Sequence, residues 1–428
     1  MSQTSPLYHA LTNMAVPLLP LALRGERKRA AHLARLAAPA AIEQWASAHR
    51  DQNRPLAWFH APSVGEGLQA RAVLQAWRAA HPDAQIIYTH FSPSAAALAA
   101  TIDADWAGYL PYDRAADVAR ALRAAKPNLL VFTKLDLWPE LATQAHAMGT
   151  RVVMVAGTVN RDSGRLRWPG RDLGLPGYQA LDAIGAISAE DADRLTLLGA
   201  DRSRITVTGD PRVDSVLEVV DAAADAAPPV MLGDPARLMI AGSTWPDDER
   251  VVMHAFGEVQ QTHPDARLML IPHQPTLSHL LRIEAAFVPH AVRPPVPLAS
   301  REEGDDPEIL VIDRVGMLSQ LYAAGAMAYV GGGFGGTGIH SVLEPAAWSR
   351  PVIIGPNDRG SRDAELLARA GGLVRLPREG AVAALVAQWR AWLDSPERCA
   401  RDGAAARAAL EAERGAAERS ARLIGEIR

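Results

Sequence analysis

Short apolar runs rich in β-branched residues alternate with amphipathic stretches along this 428-residue chain, and that alternation leaves few folds open. LAWFHA (56–61) is followed by PSVGEG and a helical LQARAVLQAWRAA. QIIYTH (85–90), NLLVFT (128–133), RVVMVAG (151–157), AIGAIS (183–188) and RITVTG (204–209) continue the series, with helical ELATQAHAM and AEDADRLTLLGA between members. A strand that is apolar throughout is buried on both faces, so strands of this kind separated by helices predict a parallel sheet covered on both sides. The series restarts with RLMIAGST (237–244) and runs on through ARLMLIPH, EILVID, AMAYVGGG and RPVIIGP. Residues 218–235, rich in Ala, Asp and Pro, read as a connector, and the Ala-rich residues 380–428 as terminal helices. The expectation is an α/β protein with one parallel-sheet domain over 51–217, a linker over 218–235 and a second domain over 236–428. Residues 1–50 form a separate N-terminal segment.

Composition removes several classes of function. With 48% hydrophobic and 21% charged residues the chain has the balance of a folded globule. A formal net charge of −4 offers no basic excess for nucleic acid. The single cysteine, Cys399, excludes an intramolecular disulfide and a cysteine-rich metal site. Residues 1–50 nevertheless carry +4, leaving −8 for the remainder. Their apolar run, residues 7–23, contains His9, Thr12, Asn13, Pro17 and Pro20, and is short for a spanning helix. Its charges (RGERKR) follow the apolar run, the reverse of a signal peptide. Two readings stand: a helix lying in the interface with its basic flank on anionic headgroups, or a helix packed on the protein's own core.

Ligands of such sheets bind outside the carboxyl ends of the strands, so the loops that follow strands are where chemistry is expected. After the first strand come Ser63, Val64, Gly65 and Glu66. A carboxylate near a helix N-terminus stays ionised, and it can take a proton from an attacking hydroxyl. The alternative is an ordinary first-turn Glu. After NLLVFT, the run Lys134 to Glu140 holds a lysine and two acids, Asp136 among them, although Trp138-Pro139 also suits a helix start. After AMAYV, five glycines fall between Gly331 and Gly336, and Gly338 follows. A backbone this bare can approach a ligand closely. A helix expected to begin near residues 339–341 would offer free amides to a phosphate, with Glu344 one turn further in to accept from a ribose diol. The spacing up to Pro351 is similar to the nucleotide-sugar half of GT-B glycosyltransferases. No P-loop and no clean G-x-G-x-x-G is present, which disfavours an NTPase or dehydrogenase. Gly242-Ser243-Thr244 and His273 also follow strands. The histidines include no H-x-x-x-H pair, so neither a metal nor another cofactor is expected.

Together these pieces resemble the 3-deoxy-D-manno-octulosonic acid (Kdo) transferases over roughly residues 7–420. The resemblance is carried by Trp58 to Glu66 (WFHAPSVGE), Ser92 to Ser94, Tyr109 to Asp113 (YLPYD), Asp136 to Pro139 (DLWP), and Val207 to Asp214 (VTGDPRVD). It continues through Gly242 to Thr244, Gly316 to Ala324 (GMLSQLYAA) and His340 to Ala347 (HSVLEPAA). It implies a GT-B architecture, two Rossmann-like parallel-sheet domains facing a cleft. It also implies transfer of Kdo from CMP-Kdo to a lipid A precursor in lipopolysaccharide biosynthesis, inverting and without a metal, at the cytoplasmic face of the inner membrane. Glu66 would be the general base. Ser63, Gly65, Lys134, Asp136, Ser243, Thr244, His273, Gly316, Met317, Gly338, His340, Ser341 and Glu344 would bind substrate. The family's E-T-E-L-W-P-N reads Lys134 to Glu140 here, and its P-R-H-P reads Pro272-His273-Gln274-Pro275, which loses an arginine. Lys134 is therefore a candidate partner for the donor carboxylate. The alternatives are a GT-B enzyme using another nucleotide sugar and a catalytically inactive, envelope-binding paralogue.

Overall fold

The computed structural model describes residues 4–287, 293–302, 304–336 and 338–425. The chain divides into two compact units, residues 1–215 with 415–428, and residues 216–414.

The first unit is built on a seven-stranded sheet. Its strands are β1 (Leu56–His60), β2 (Gln85–His90), β3 (Trp106–Tyr109), β4 (Leu129–Thr133), β5 (Arg151–Gly157), β6 (Ala183–Ala186) and β7 (Ile205–Val207). Their order is β3-β2-β1-β4-β5-β6-β7, every pair parallel. β1 shows why the strands read as unbroken apolar runs. Leu56 and Trp58 enter one core with Leu130 and Phe132, while Ala57 and Phe59 enter the other with Tyr88 and Val131. Both faces of the sheet are thus covered by helices. Three of these helices bear on function: α1 (Pro6–Ala22), α2 (Glu26–His49) and α3 (Val64–Ala80).

The second unit repeats the plan with β8 (Leu238–Thr244), β9 (Arg267–Pro272), β10 (Val296–Pro297), β11 (Ile309–Val311), β12 (Met327–Val330), β13 (Val352–Ile354) and β14 (Leu373–Arg375). The order is β10-β11-β9-β8-β12-β13-β14, again all parallel. In each unit the chain crosses from one side of its first strand to the other, between β1 and β4 and between β8 and β12. Loops leaving such a pair diverge and open a crevice at the carboxyl edge of the sheet.

The division differs from the sequence reading in three places. Residues 1–50 are not a separate segment but part of the first unit, with Ile42, Trp45 and Ala46 of α2 in its core. The break comes between Ser215 and Val216, inside the helix Pro211–Ala222, so residues 218–222 are helix and not a free connector. The last helix, Ala416–Ile424, belongs to the first unit rather than the second. Its Ile424, Ala421 and Leu423 pack into the core beneath β1 and β2. Asp214 fixes the start of that helix by accepting from the amides of Gly415 (2.6 Å) and Ala417 (2.7 Å).

Candidate functional site

In the first unit the switch point carries charge. β1 ends at His60, and Ser63 stands at the N-cap of α3, with Glu66 in its first turn. Lys134 is the first residue past β4. It holds a left-handed backbone (φ 65°), and its amide donates to Val155 O at 2.8 Å. From there Lys134 Nζ donates to Glu66 Oε1 at 2.9 Å, while the Ser63 hydroxyl donates to Glu66 Oε2. Burial opposes ionisation of Glu66. The Ser63 and Lys134 contacts outweigh it and hold the carboxyl below the usual carboxylate range. Lys134, a candidate for the donor carboxylate, is thus engaged by Glu66. Gly65 lies open beside them, and a Cβ there would meet nothing within 4 Å.

Asp136 belongs to a second network. It accepts from Trp138 Nε1 (3.0 Å) and His60 Nε2 (2.9 Å), and buried His60 places its Nδ1 3.0 Å from Thr89 Oγ1. Thr89 in turn accepts from Trp58 Nε1 at 2.9 Å. These contacts join indole, hydroxyl, imidazole and carboxylate into one chain, with His60 Nε2 donating to Asp136. Burial raises Asp136, but the His60 and Trp138 bonds prevail and keep it low. The sequence reading passed over His60 and Thr89, although both lie at strand ends inside or beside the quoted motif.

Next to this cluster sits α1. Tyr8 donates to Asp113 Oδ2 (2.6 Å), and His9 Nε2 lies 2.6 Å from Glu140 Oε2. Asp113 also accepts from the amides of Glu140 and Leu141, both at 2.9 Å. The helix is thereby tied to the segment that follows Asp136. Along its other side Leu7, Leu11, Met14, Leu18 and Leu21 recur every three or four residues, all exposed, and Val16 is its buried residue. Arg24, Arg27, Lys28 and Arg29 lie exposed at the turn into α2. Among the described residues no helix is long and apolar enough to cross a membrane.

In the second unit the switch point is a loop held from below. Asp248, buried in the first turn of the helix Pro246–Gln260, accepts from Gly332 N (2.8 Å), Tyr329 OH (2.8 Å) and Trp245 N (3.0 Å). Its neighbour Glu249 accepts from the buried Thr244 hydroxyl (3.0 Å) and pairs with His279 Nε2 (2.9 Å). Burial raises both carboxyls. Neither acid nor His279 stood out in the sequence, because the Glu249–His279, Asp248–Tyr329 and Asp248–Gly332 pairs span 30 to 84 positions. Ser243, the penultimate residue of β8, holds a left-handed φ of 53°, where the register of the strand shifts. The turn Gly316–Met317 leads to Leu318 and Tyr322, whose side chains abut Gly242.

Above the loop three rings stack. His273 lies 4.8 Å from Trp245 and 4.2 Å from His340, both at 28°. Trp245 Nε1 donates to His340 Nε2 at 2.9 Å, which requires that nitrogen to be unprotonated. Burial and the neighbouring His273 push His340 down to about 4. A histidine depressed on folding loses stability as pH falls, because the unfolded chain takes up the proton first. The melting temperature should therefore drop as pH is lowered from 6.5 towards 4. His340→Gln keeps an acceptor for the indole without the titration, so differential scanning fluorimetry across that window should show a shallower slope.

The helix after the glycines is shorter and later than expected. It spans Leu343–Ala347 and places Glu344 in its first turn. Pro345 is the reason: a helix begun at residues 339–341 would have it in its interior, where its ring clashes with the preceding turn. Residues 338–342 are instead irregular, Gly338 with φ 83° and buried, Ser341 exposed; Thr337 lies outside the described residues. Glu344 is half-buried; its carboxyl has no hydrogen-bond partner among the described residues and is raised by burial. Also among the described residues, no group of three or more His, Cys, Asp and Glu side chains could hold a metal ion.

The first unit thus offers an ionised carboxylate beside a cation. The second offers a glycine loop, neutral stacked rings and an unpartnered carboxyl. Comparison with known proteins gives these a context. Residues 34–215 match the family model described as 3-deoxy-D-manno-octulosonic-acid transferase (kdotransferase). A 3-deoxy-D-manno-octulosonic acid transferase of Bordetella pertussis is 28% identical over 335 residues, 75% of this chain and 76% of that one. A probable mitochondrial one of Arabidopsis thaliana is 28% identical over 375 residues, 82% and 79%. Among solved structures, UDP-GlcNAc 2-epimerase from Neisseria meningitidis superposes with a TM-score of 0.59 at 10% identity, covering 82% of this chain and 94% of that one. A glycosyltransferase from Rickettsia africae gives 0.53 at 11%, with 86% and 96% covered. At those identities the likeness is one of fold, the GT-B fold.

Proposed function

From the premise that this chain belongs to the Kdo transferase family and is a glycosyltransferase, we propose that it moves Kdo from CMP-Kdo to a hydroxyl of a lipid A precursor, with inversion and without a metal. The observation that carries the mechanism is Glu66, held ionised at a switch point by Ser63 and Lys134. In the proposed step the acceptor oxygen bonds to the anomeric carbon of Kdo as the bond from that carbon to the CMP phosphate breaks. Glu66 takes the hydroxyl proton, and CMP leaves with the electron pair. The glycine loop after β12 and the stacked rings hold the nucleotide, and Glu344 accepts from its ribose diol.

Lys134 acts on the base. Replacing it with Asn, which tolerates the left-handed backbone, removes the cation that lowers Glu66. The carboxyl then rises, and the acid limb of kcat/KM against pH should move to higher pH. An unchanged profile would detach Lys134 from catalysis.

We place the enzyme at the cytoplasmic face of the inner membrane. Supporting this are the exposed leucine stripe of α1 and the basic turn after it, which together suit an interface rich in anionic lipid. The deciding experiment is to incubate the purified protein with CMP-Kdo and tetra-acylated lipid A precursor and weigh the product. A mass gain of whole Kdo residues is expected. One observation favours a second reading: His273, lowered by burial, stands where the family has arginine, which suits a donor sugar that needs no guanidinium partner. Product from a UDP-sugar and none from CMP-Kdo would establish that reading.

A further inference from the structure

Trp168 is 80% exposed, an unusual setting for an indole, and it stands among four arginines: Arg161, Arg165, Arg167 and Arg171. Two aspartates, Asp162 and Asp172, are the acids of this stretch. Among the described residues no carboxylate pairs with Arg161, Arg167 or Arg171, whereas Arg194 and Arg212 nearby in sequence each have one.

The segment is nonetheless built. Leu166 packs against the core of the first unit. The Ser163 hydroxyl accepts from Arg165 N at 3.3 Å and opens a single 3-10 turn, Gly164–Leu166. Arg165 Nη1 donates to Leu135 O at 2.5 Å, which ties the segment to the loop between Lys134 and Asp136. Its charge also acts on the Asp136 carboxyl and on the Tyr8 hydroxyl of α1. The exposed Trp–Arg segment therefore lies beside the start of α1 and beside the loop that carries Lys134 and Asp136.

We propose that residues 161–171 form a second membrane contact, separate from the N-terminal helix, in which Trp168 enters the interface of an anionic bilayer and Arg161, Arg167 and Arg171 meet lipid phosphates. The chemistry fits each part. An indole has an apolar body and one polar N–H, and it settles at headgroup depth. Guanidinium groups without protein partners match phosphates bidentately. One amphipathic helix binds a bilayer reversibly, and a second contact both strengthens binding and fixes orientation. The orientation here would set the Lys134–Asp136 loop facing the source of a lipid acceptor. That consequence rests on the proposed acceptor, but the contact itself does not, because it needs neither donor nor acceptor to be observed.

The test is flotation of the full-length protein with vesicles of phosphatidylcholine alone, or with about a third phosphatidylglycerol. Three variants are compared: Arg161→Ser/Arg167→Ser/Arg171→Ser, Trp168→Ser, and Leu11→Ser/Leu18→Ser in α1. At roughly fivefold per guanidinium, the triple variant should lose on the order of 100-fold in partition to anionic vesicles and little to neutral ones. Trp168→Ser should lose roughly tenfold on both. All three replace exposed side chains, and an unchanged melting curve checks that the fold is kept. If the segment variants float like the wild type while the α1 variant does not, this proposal is overturned and the interfacial reading of α1 stands. If segment variants lose binding, the segment is a contact whatever the enzyme's donor proves to be.

Discussion

Glu66→Gln should lower kcat by roughly 10²–10⁴, the range that one well-placed general base contributes, and leave the fold and nucleotide binding in place. The amide keeps the shape of the side chain: its oxygen can take the place of Oε1 and receive the Lys134 ammonium, while its NH2, in the place of Oε2, donates to the Ser63 hydroxyl oxygen instead of accepting from it. It cannot take a proton. Because the altered group lies in the first unit and the nucleotide loop in the second, CMP affinity measured by calorimetry should be unchanged while product by mass spectrometry falls. A loss of both would mean that the substitution acts through the fold. Full turnover would remove Glu66 as the base and move attention to Asp136, whose carboxylate is also held ionised, by His60 and Trp138.

The two sheets were legible because both faces of their central strands are covered. Trp58 and Phe59 point to opposite cores, so β1 reads as an apolar run from either side. The strands that escaped the sequence are edge strands. β3 is mostly half-exposed and spells WAGY; β10 is a pair of residues; β14 is three residues long and ends on an exposed arginine, ahead of the Ala-rich residues 380–428. At an edge the burial pattern that identifies a strand is missing. The post-strand loops were legible for the same reason as the strands, since a strand's end fixes where its loop begins. What could not be read were the partners. Lys134 finds Glu66 across 68 positions, and Asp248 finds Gly332 across 84. Such pairings follow from strand order, which periodicity does not reveal. The late start of the helix at Leu343 was legible in principle, because Pro345 forbids an earlier one.

Gly332→Ala should be among the most damaging single substitutions in the second unit, for reasons that compound. Its φ of 97° lies where an L side chain is strained, at about 1–3 kcal/mol. An added methyl would also run into the carbonyl oxygen of Gly338, a backbone atom that cannot rotate away. Relieving that overlap costs about 1–3 kcal/mol more. Any shift of residue 332 also loosens its 2.8 Å bond to Asp248, leaving a buried carboxyl with one donor fewer. The expected sum is about 2–6 kcal/mol, or a fall in melting temperature on the order of 10 °C. Nucleotide affinity should fall with it, because the loop is proposed to cradle the phosphate by close backbone approach. Gly336→Ala is the internal control. It lies on the same loop, has no left-handed φ, and an added methyl would meet nothing within 4 Å. Its effect should stay within about 0.5 kcal/mol. Calorimetric titration of CMP into both variants decides the matter. A large loss for Gly332→Ala beside near-wild-type binding for Gly336→Ala identifies close backbone packing as what the glycines supply. Equal losses would mean instead that the loop needs freedom to move, and the cradle as drawn would be wrong.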